Sequence, residues 1–127
     1  MQRVIKNLLK DSLFFIAIGI TIFIAYLSLI PVTTKSVSFT GIDKVFHLLA
    51  YFTLGISWLT AFYRKTKYKY AIITLCIVYG IIIEILQSKL TNYRTGDYLD
   101  ILANTLGIFL ALFLFNQILK KISIKKQ

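Results

Sequence analysis

The sequence predicts an all-α fold, a bundle of four transmembrane helices with both termini in the cytoplasm. Three observations predict it. Of 127 residues, 57% are hydrophobic and only 16% charged, with a mean hydropathy of +0.75, whereas an average soluble domain is roughly 25% charged. The apolar residues fall into four runs of 18 or 19 residues, and about 20 residues cross the hydrocarbon core as a helix. The basic residues gather in alternate connections between those runs. A chain this short buries only about two-thirds of its surface, so a water-soluble version would expose much apolar area. The length allows one domain, residues 1–127.

The first run, 13–30, carries no charge in Leu13 to Ile30. It is longer than the roughly 7–15 residues of a signal-peptide core, and Ser28-Leu29-Ile30-Pro31 is not a small-x-small cleavage site. The run is therefore read as a retained span, with Pro31 as a stop beyond it. The second, 45–63, contains His47, and the third, 70–87, contains Glu84. The fourth, 101–119, is uncharged. Lipid satisfies no backbone polar groups, so spans of this length must be helical. None of the runs alternates apolar and polar residues as barrel strands do. The one cysteine, Cys76, falls within the third run, which excludes a disulfide within the chain. Gly-rich phosphate loops and HExxH or GxSxG motifs do not occur, and no cofactor is expected.

The net charge of +10 comes from 15 Lys and Arg against 5 Asp and Glu. Eleven of the basic residues lie before the first run (Arg3, Lys6, Lys10), between the second and third (Arg64, Lys65, Lys67, Lys69) and in the tail (Lys120, Lys121, Lys125, Lys126). The other two connections hold Lys35, Lys44, Lys89 and Arg94. The positive-inside rule, strongest for short loops, then places both termini in the cytoplasm. The basic clusters serve orientation and contact with anionic headgroups, so no nucleic-acid partner is expected.

Four of the five acids fall on the opposite side, with the only histidine. Asp43, Lys44 and His47 open the second span, Glu84 and Gln87 close the third, and Arg94, Asp97, Asp100 and Asn104 lead into the fourth. Asp43, His47 and Tyr51 step by four and share a helix face. Glu84 and Gln87 share a face with Gly80. Asp97, Asp100, Asn104, Gly107 and Ala111 form one stripe, in which Gly107 and Ala111 have the small-xxx-small spacing of close helix packing. An ionised Glu84 facing lipid would cost ~2.5–3.5 kcal/mol near the bilayer centre. It is expected to turn inward and pair with Arg94, His47 or Lys44. The expectation is a polar cluster at the outer mouth of the bundle. Each member also has a plain structural role open to it. Asp43 and Asp97 suit helix N-termini, Gln87, Asn104 and His47 suit interhelical hydrogen bonds, and Glu84 and Arg94 suit an ion pair. Tyr26, Tyr51, Tyr93, Tyr98 and Trp58 include candidates for the interfacial aromatic belt.

Asp43-Lys44-Val45-Phe46-His47 with Tyr51, Glu84-Ile85-Leu86-Gln87, and Arg94 to Asp100 with Asn104 and Gly107 resemble the VanZ-like family. Its pattern runs DKxxHxxxY, ExxQ, then RxxDxxDxxxNxxG, and the resemblance covers roughly Phe15 to Phe115. It implies a multi-pass protein of the bacterial cytoplasmic membrane and cell envelope. It also implies that Asp43, His47, Glu84, Gln87, Arg94, Asp97, Asp100 and Asn104 are signature positions. The family's founding member is linked to resistance to the glycopeptide antibiotic teicoplanin. The resemblance carries over no catalytic role.

Two function classes stand first. One is a non-enzymatic envelope protein whose outer cluster binds a lipid-linked or glycolipid headgroup, or a partner membrane protein, a second copy of the chain included. Lys44 and Arg94 would meet phosphate, and Asp100 and Asn104 sugar hydroxyls. The alternative is an intramembrane enzyme acting on a lipid-linked substrate, with Glu84 as general base and His47 as acid. A metal on His47, Asp97 and Asp100 would have to be assembled across helices, so none is expected. A transporter is disfavoured, because no acid or histidine continues the polar path below Gly80 on the third span or Gly107 on the fourth, where Thr74 and Asn116 interrupt apolar runs.

Overall fold

The computed structural model describes residues 2–30, 42–90 and 98–125. These residues form four α-helices: α1 (Gln2–Leu29), α2 (Ile42–Ala61), α3 (Lys69–Leu90) and α4 (Tyr98–Lys125). The helices outrun the apolar stretches that announce them. α1 starts eleven residues before the first run, because Arg3, Lys6, Lys10 and the leucines among them are good helix formers. The long basic side chains also reach water from a helix end. α1 stops at Leu29, after which the Ile30 N–H still bonds the Tyr26 carbonyl at 3.1 Å. A residue that precedes a proline is disfavoured in the helical region, which fixes the stop.

α2 and α3 are joined by a tight connection. The Lys65 N–H bonds the Phe62 carbonyl at 2.9 Å, the Tyr68 N–H bonds the Lys65 carbonyl at 3.0 Å, and a 3-10 turn (Thr66–Tyr68) leads directly into α3. Among the described residues, three helical stretches are long and apolar enough to cross a membrane: α1, Thr66–Lys89 and Tyr98–Lys121. α2, with 20 residues, carries Lys44 and His47 in its first two turns and packs against all three other helices. The chain is therefore a multi-pass membrane protein by architecture.

Side-chain contacts fix the order of the helices. Thr21 of α1 meets Trp58 of α2 and Tyr79 of α3, while Ser28 meets Gln87. Phe14 packs edge-on against Trp58 and Phe62, at 5.7 and 6.3 Å between ring centroids. α1 is thus antiparallel to α2 and parallel to α3. Gly80 of α3 faces Asn104 of α4, and Lys69 meets Asn116, so these two are antiparallel. Lys44 meets Asp100, and Gly55 meets Ala111, so α2 and α4 are parallel. The bundle runs up, down, up, down, as short connections between consecutive spans require.

The α2–α4 contact is the most extensive in the bundle. It is close because of Gly107. A Cβ there would overlap the Leu48 carbonyl and come within 2.9 Å of the Phe52 nitrogen, so the two backbones touch. At Gly55, one layer further along, a Cβ would stand 2.9 Å from that of Ala111. Small residues drive such approach where lipid removes the hydrophobic drive between helices. Leu54, Leu59 and Ile108 are the largest fully buried side chains and form the centre of the core. Phe15, Ile22, Phe46, Leu75, Leu106 and Phe113 stay exposed, as a lipid-facing surface should and a water-facing one should not.

Candidate functional site

The antiparallel geometry puts the polar positions of α2, α3 and α4 at one end of the bundle. Arg64, Lys65, Lys67 and Lys69 lie at the other end, with the start of α1 and the end of α4. Glu84 (4% exposed), Gln87 (2%), Asp100 (7%) and Asn104 (3%) all turn inward. The faces read from the sequence are the faces that pack.

Lys44 is fixed first. Its ammonium donates to the Asp100 carboxylate at 2.9 Å and closes α2 onto the first turn of α4. The carboxylate side is 10% exposed and the lysine side 30%, so the pair sits at a rim. Asp100 also stands in the first turn of α4, where an acid is favoured by the helix dipole. One turn deeper lies Asn104. A Cβ on Gly80 would be 3.0 Å from Tyr51 Cε1 and 3.5 Å from Asn104 Nδ2, so Tyr51, Gly80 and Asn104 meet across three helices. The absent side chain at Gly80 is what lets the Tyr51 ring and the Asn104 amide approach α3. The Tyr51 ring also stands 6.3 Å from that of Tyr79, centroid to centroid. Among the described residues, the Tyr51 hydroxyl and the Asn104 carbonyl oxygen are buried without a hydrogen-bond partner. Such groups usually cost about 1–3 kcal/mol each.

Gln87 has a specific task. Its Nε2 donates to the Ser28 carbonyl at 3.0 Å. That carbonyl belongs to the last turn of α1, whose final four acceptors have no partner within the helix. Gln87 therefore caps α1 from α3. His47 is half-buried on α2. Asp43 falls in the first turn of α2, and its side chain lies outside the described residues. So do Arg94 and Asp97, the remaining members of the expected cluster. Among the described residues, no three His, Cys, Asp or Glu side chains are close enough together to hold a metal ion.

Two of the aromatic residues are not in a belt. Tyr51 is buried in the cluster, and Trp58 donates its Nε1–H to Thr21 Oγ1 at 2.9 Å inside the bundle. Tyr26 and Tyr98 are exposed, and Tyr93 lies outside the described residues. Sequence reasoning also missed Thr21, which ties three helices together by accepting from Trp58 and, through its carbonyl, from the Tyr79 hydroxyl at 2.5 Å. A single threonine in an apolar run gives no such signal. Between the polar end and the Lys69–Asn116 hydrogen bond (2.9 Å), the centre is filled by Leu54, Ile73, Ile108 and Ala111.

No solved structure matches the chain. An uncharacterized protein of Schizosaccharomyces pombe is 34% identical over 108 residues, which cover 84% of this chain and 64% of that protein. The chain thus spans just under two-thirds of that relative's length. The family model described as VanZ/LLP1 matches residues 3–120. With nearly its whole length matched, the chain belongs to the VanZ/LLP1 family.

Proposed function

We propose that the chain is a non-enzymatic membrane protein whose polar cluster faces outward and receives the headgroup of a lipid-linked molecule or glycolipid. The observation that carries this reading is the pair of buried polar atoms at Tyr51 and Asn104, set around Gly80 beneath the Lys44–Asp100 rim. Neutral acceptors and a hydroxyl suit sugar hydroxyls, and Lys44 with Arg94 suits phosphate. The outward orientation rests on the eleven basic residues at the other end. In a bacterial cytoplasmic membrane, that orientation puts the cluster where glycopeptide antibiotics meet cell-wall precursors, which is how a link to teicoplanin resistance would apply to this chain. The second reading, an acid–base pair of Glu84 and His47, would need an open cleft around Glu84, which is buried.

Mass spectrometry of the lipids that co-purify with the protein tests the reading. Wild type is expected to retain a lipid-linked or glycolipid species that Tyr51→Phe and Arg94→Ala retain several-fold less. Tyr51→Phe removes a hydroxyl that has no partner among the described residues, so its stability should stay within about 1 kcal/mol of wild type. Identical lipid profiles for all three proteins would contradict headgroup binding and leave a partner membrane protein as the occupant.

A further inference from the structure

A groove of about 610 Å³ opens between α1, α2 and α3 in the half of the bundle away from the polar cluster. The volume is within the roughly 300–1,000 Å³ of small-molecule sites. Its walls include Leu54, Phe62, Ile72, Leu75 and Cys76, and no acidic side chain lines it. The polar groups at its deep end are already engaged with one another. Trp58 Nε1 donates to Thr21 Oγ1, the Thr21 hydroxyl donates to the Ala17 carbonyl, and the Tyr79 hydroxyl donates to the Thr21 carbonyl. The interior therefore offers an occupant apolar contact only.

The mouth has the opposite character. Lys65 lines the groove there, beside Tyr68. Of its basic neighbours, Arg64 donates to the Tyr63 hydroxyl at 3.0 Å and Lys69 donates to Asn116, while Lys67 lies over the Tyr68 ring beside the mouth without lining the groove. Tyr79, at the floor, lies eleven residues beyond Tyr68, which ends the 3-10 turn at the mouth, roughly 16 Å along the axis of α3. That is about half of the ~30 Å hydrocarbon core, the depth of a single leaflet. An apolar slot one leaflet deep, open to lipid and headed by a cation at the membrane surface, matches one kind of occupant.

We propose that this groove is a binding site for one anionic phospholipid, with an acyl chain along α3 and the phosphate on Lys65. The site is separate from the polar cluster and stands or falls independently of the headgroup reading there. The protein supplies its own reporter, since Trp58 is the only tryptophan and lines the groove. Full-length protein is reconstituted in phosphatidylcholine vesicles containing either brominated phosphatidylglycerol or brominated phosphatidylcholine, and quenching of Trp58 fluorescence is followed against mole fraction. A basic side chain at the surface is worth about 1 kcal/mol toward an anionic lipid, which is about fivefold in association. Half-quenching is therefore expected at an about fivefold lower mole fraction of the anionic lipid. Lys65→Gln should remove that preference and Lys120→Gln, on the exposed end of α4, should keep it. Ala71→Phe, which fills the groove from an exposed position of α3, should reduce quenching by both lipids while leaving the surface charge intact. Three results would overturn the proposal. They are equal quenching by the two lipids, a preference lost equally in Lys65→Gln and Lys120→Gln (general headgroup attraction), and no quenching by either lipid (a groove covered by protein).

Discussion

Gly107→Val is expected to unfold or severely destabilise the bundle, while Gly19→Ala leaves it unchanged or slightly more stable. The contrast comes from what each glycine faces. At Gly107 the first carbon of any side chain would overlap the Leu48 carbonyl and press on the Phe52 nitrogen. Both are backbone atoms of α2 and cannot rotate away, so relief requires α4 to separate from α2 along their whole contact. Overpacking a core with side chains that can yield costs about 1–3 kcal/mol. A backbone clash at the tightest crossing should exceed that, against a total stability of about 5–15 kcal/mol. Gly19 has no atom within 4 Å of an added Cβ, and a mid-helix glycine is about 0.5–1 kcal/mol worse than alanine. Thermal unfolding of the detergent-solubilised proteins, followed by circular dichroism, checks the pair. Equal melting of Gly107→Val and wild type would mean that α2 and α4 do not meet there.

The second large effect is an asymmetry between the two ends of the Lys44–Asp100 ion pair. Lys44→Met should cost more than Asp100→Asn, although both remove the same 2.9 Å contact. Lys44→Met leaves a carboxylate only 10% exposed with its charge-bearing partner gone, whereas Asp100→Asn leaves a lysine that is 30% exposed and therefore still solvated. Breaking a fully buried pair costs about 3–5 kcal/mol, and the exposure of Lys44 lowers that to ~1–3 kcal/mol for Lys44→Met. Asp100→Asn should stay near or below 1 kcal/mol. The double variant Lys44→Met/Asp100→Leu should recover most of the loss, because apolar replacement of both partners removes the stranded charge. Unfolding midpoints of the four proteins in one detergent give the coupling directly, and additive losses would show that the two side chains do not interact.

The sequence made the skeleton of this fold readable because a bilayer permits few alternatives. An uncharged run such as 101–119 can only be a helix in lipid, and α4 contains it entirely. Helical phase also identified the faces that pack: Gly107 with Ala111 meets α2, and Asn104 meets Gly80. Phase names a face but not the neighbour across from it. Lys44 was one of three counter-ions open to Glu84, and its bond to Asp100 depends on the parallel register of α2 and α4, which no local spacing encodes. Gln87 read as an interhelical hydrogen bonder, yet its partner is a carbonyl freed by the end of α1, fifty-nine residues away. Tyr51 and Trp58 read as belt residues, but Trp58 is held inside by Thr21, which accepts its N–H, and Tyr51 by the room that Gly80 leaves. Helix ends were the least readable, since apolar runs measure the hydrocarbon layer, whereas α1 and α4 continue into their basic flanks. The groove beside Lys65 is a property of three helices together and has no signature in any one of them.

The central claim is that the polar cluster and the basic end of the bundle stand on opposite sides of the membrane, with the cluster outside. The direct measurement is cysteine labelling in intact cells with a membrane-impermeant maleimide, in a Cys76→Ala background. Ser38→Cys and Asn92→Cys, beside the cluster in sequence, should label without lysis. Lys67→Cys, at the basic end, should label only after the membrane is opened. Labelling of Lys67→Cys in intact cells with protection of the other two would reverse the orientation and remove the outward-facing site.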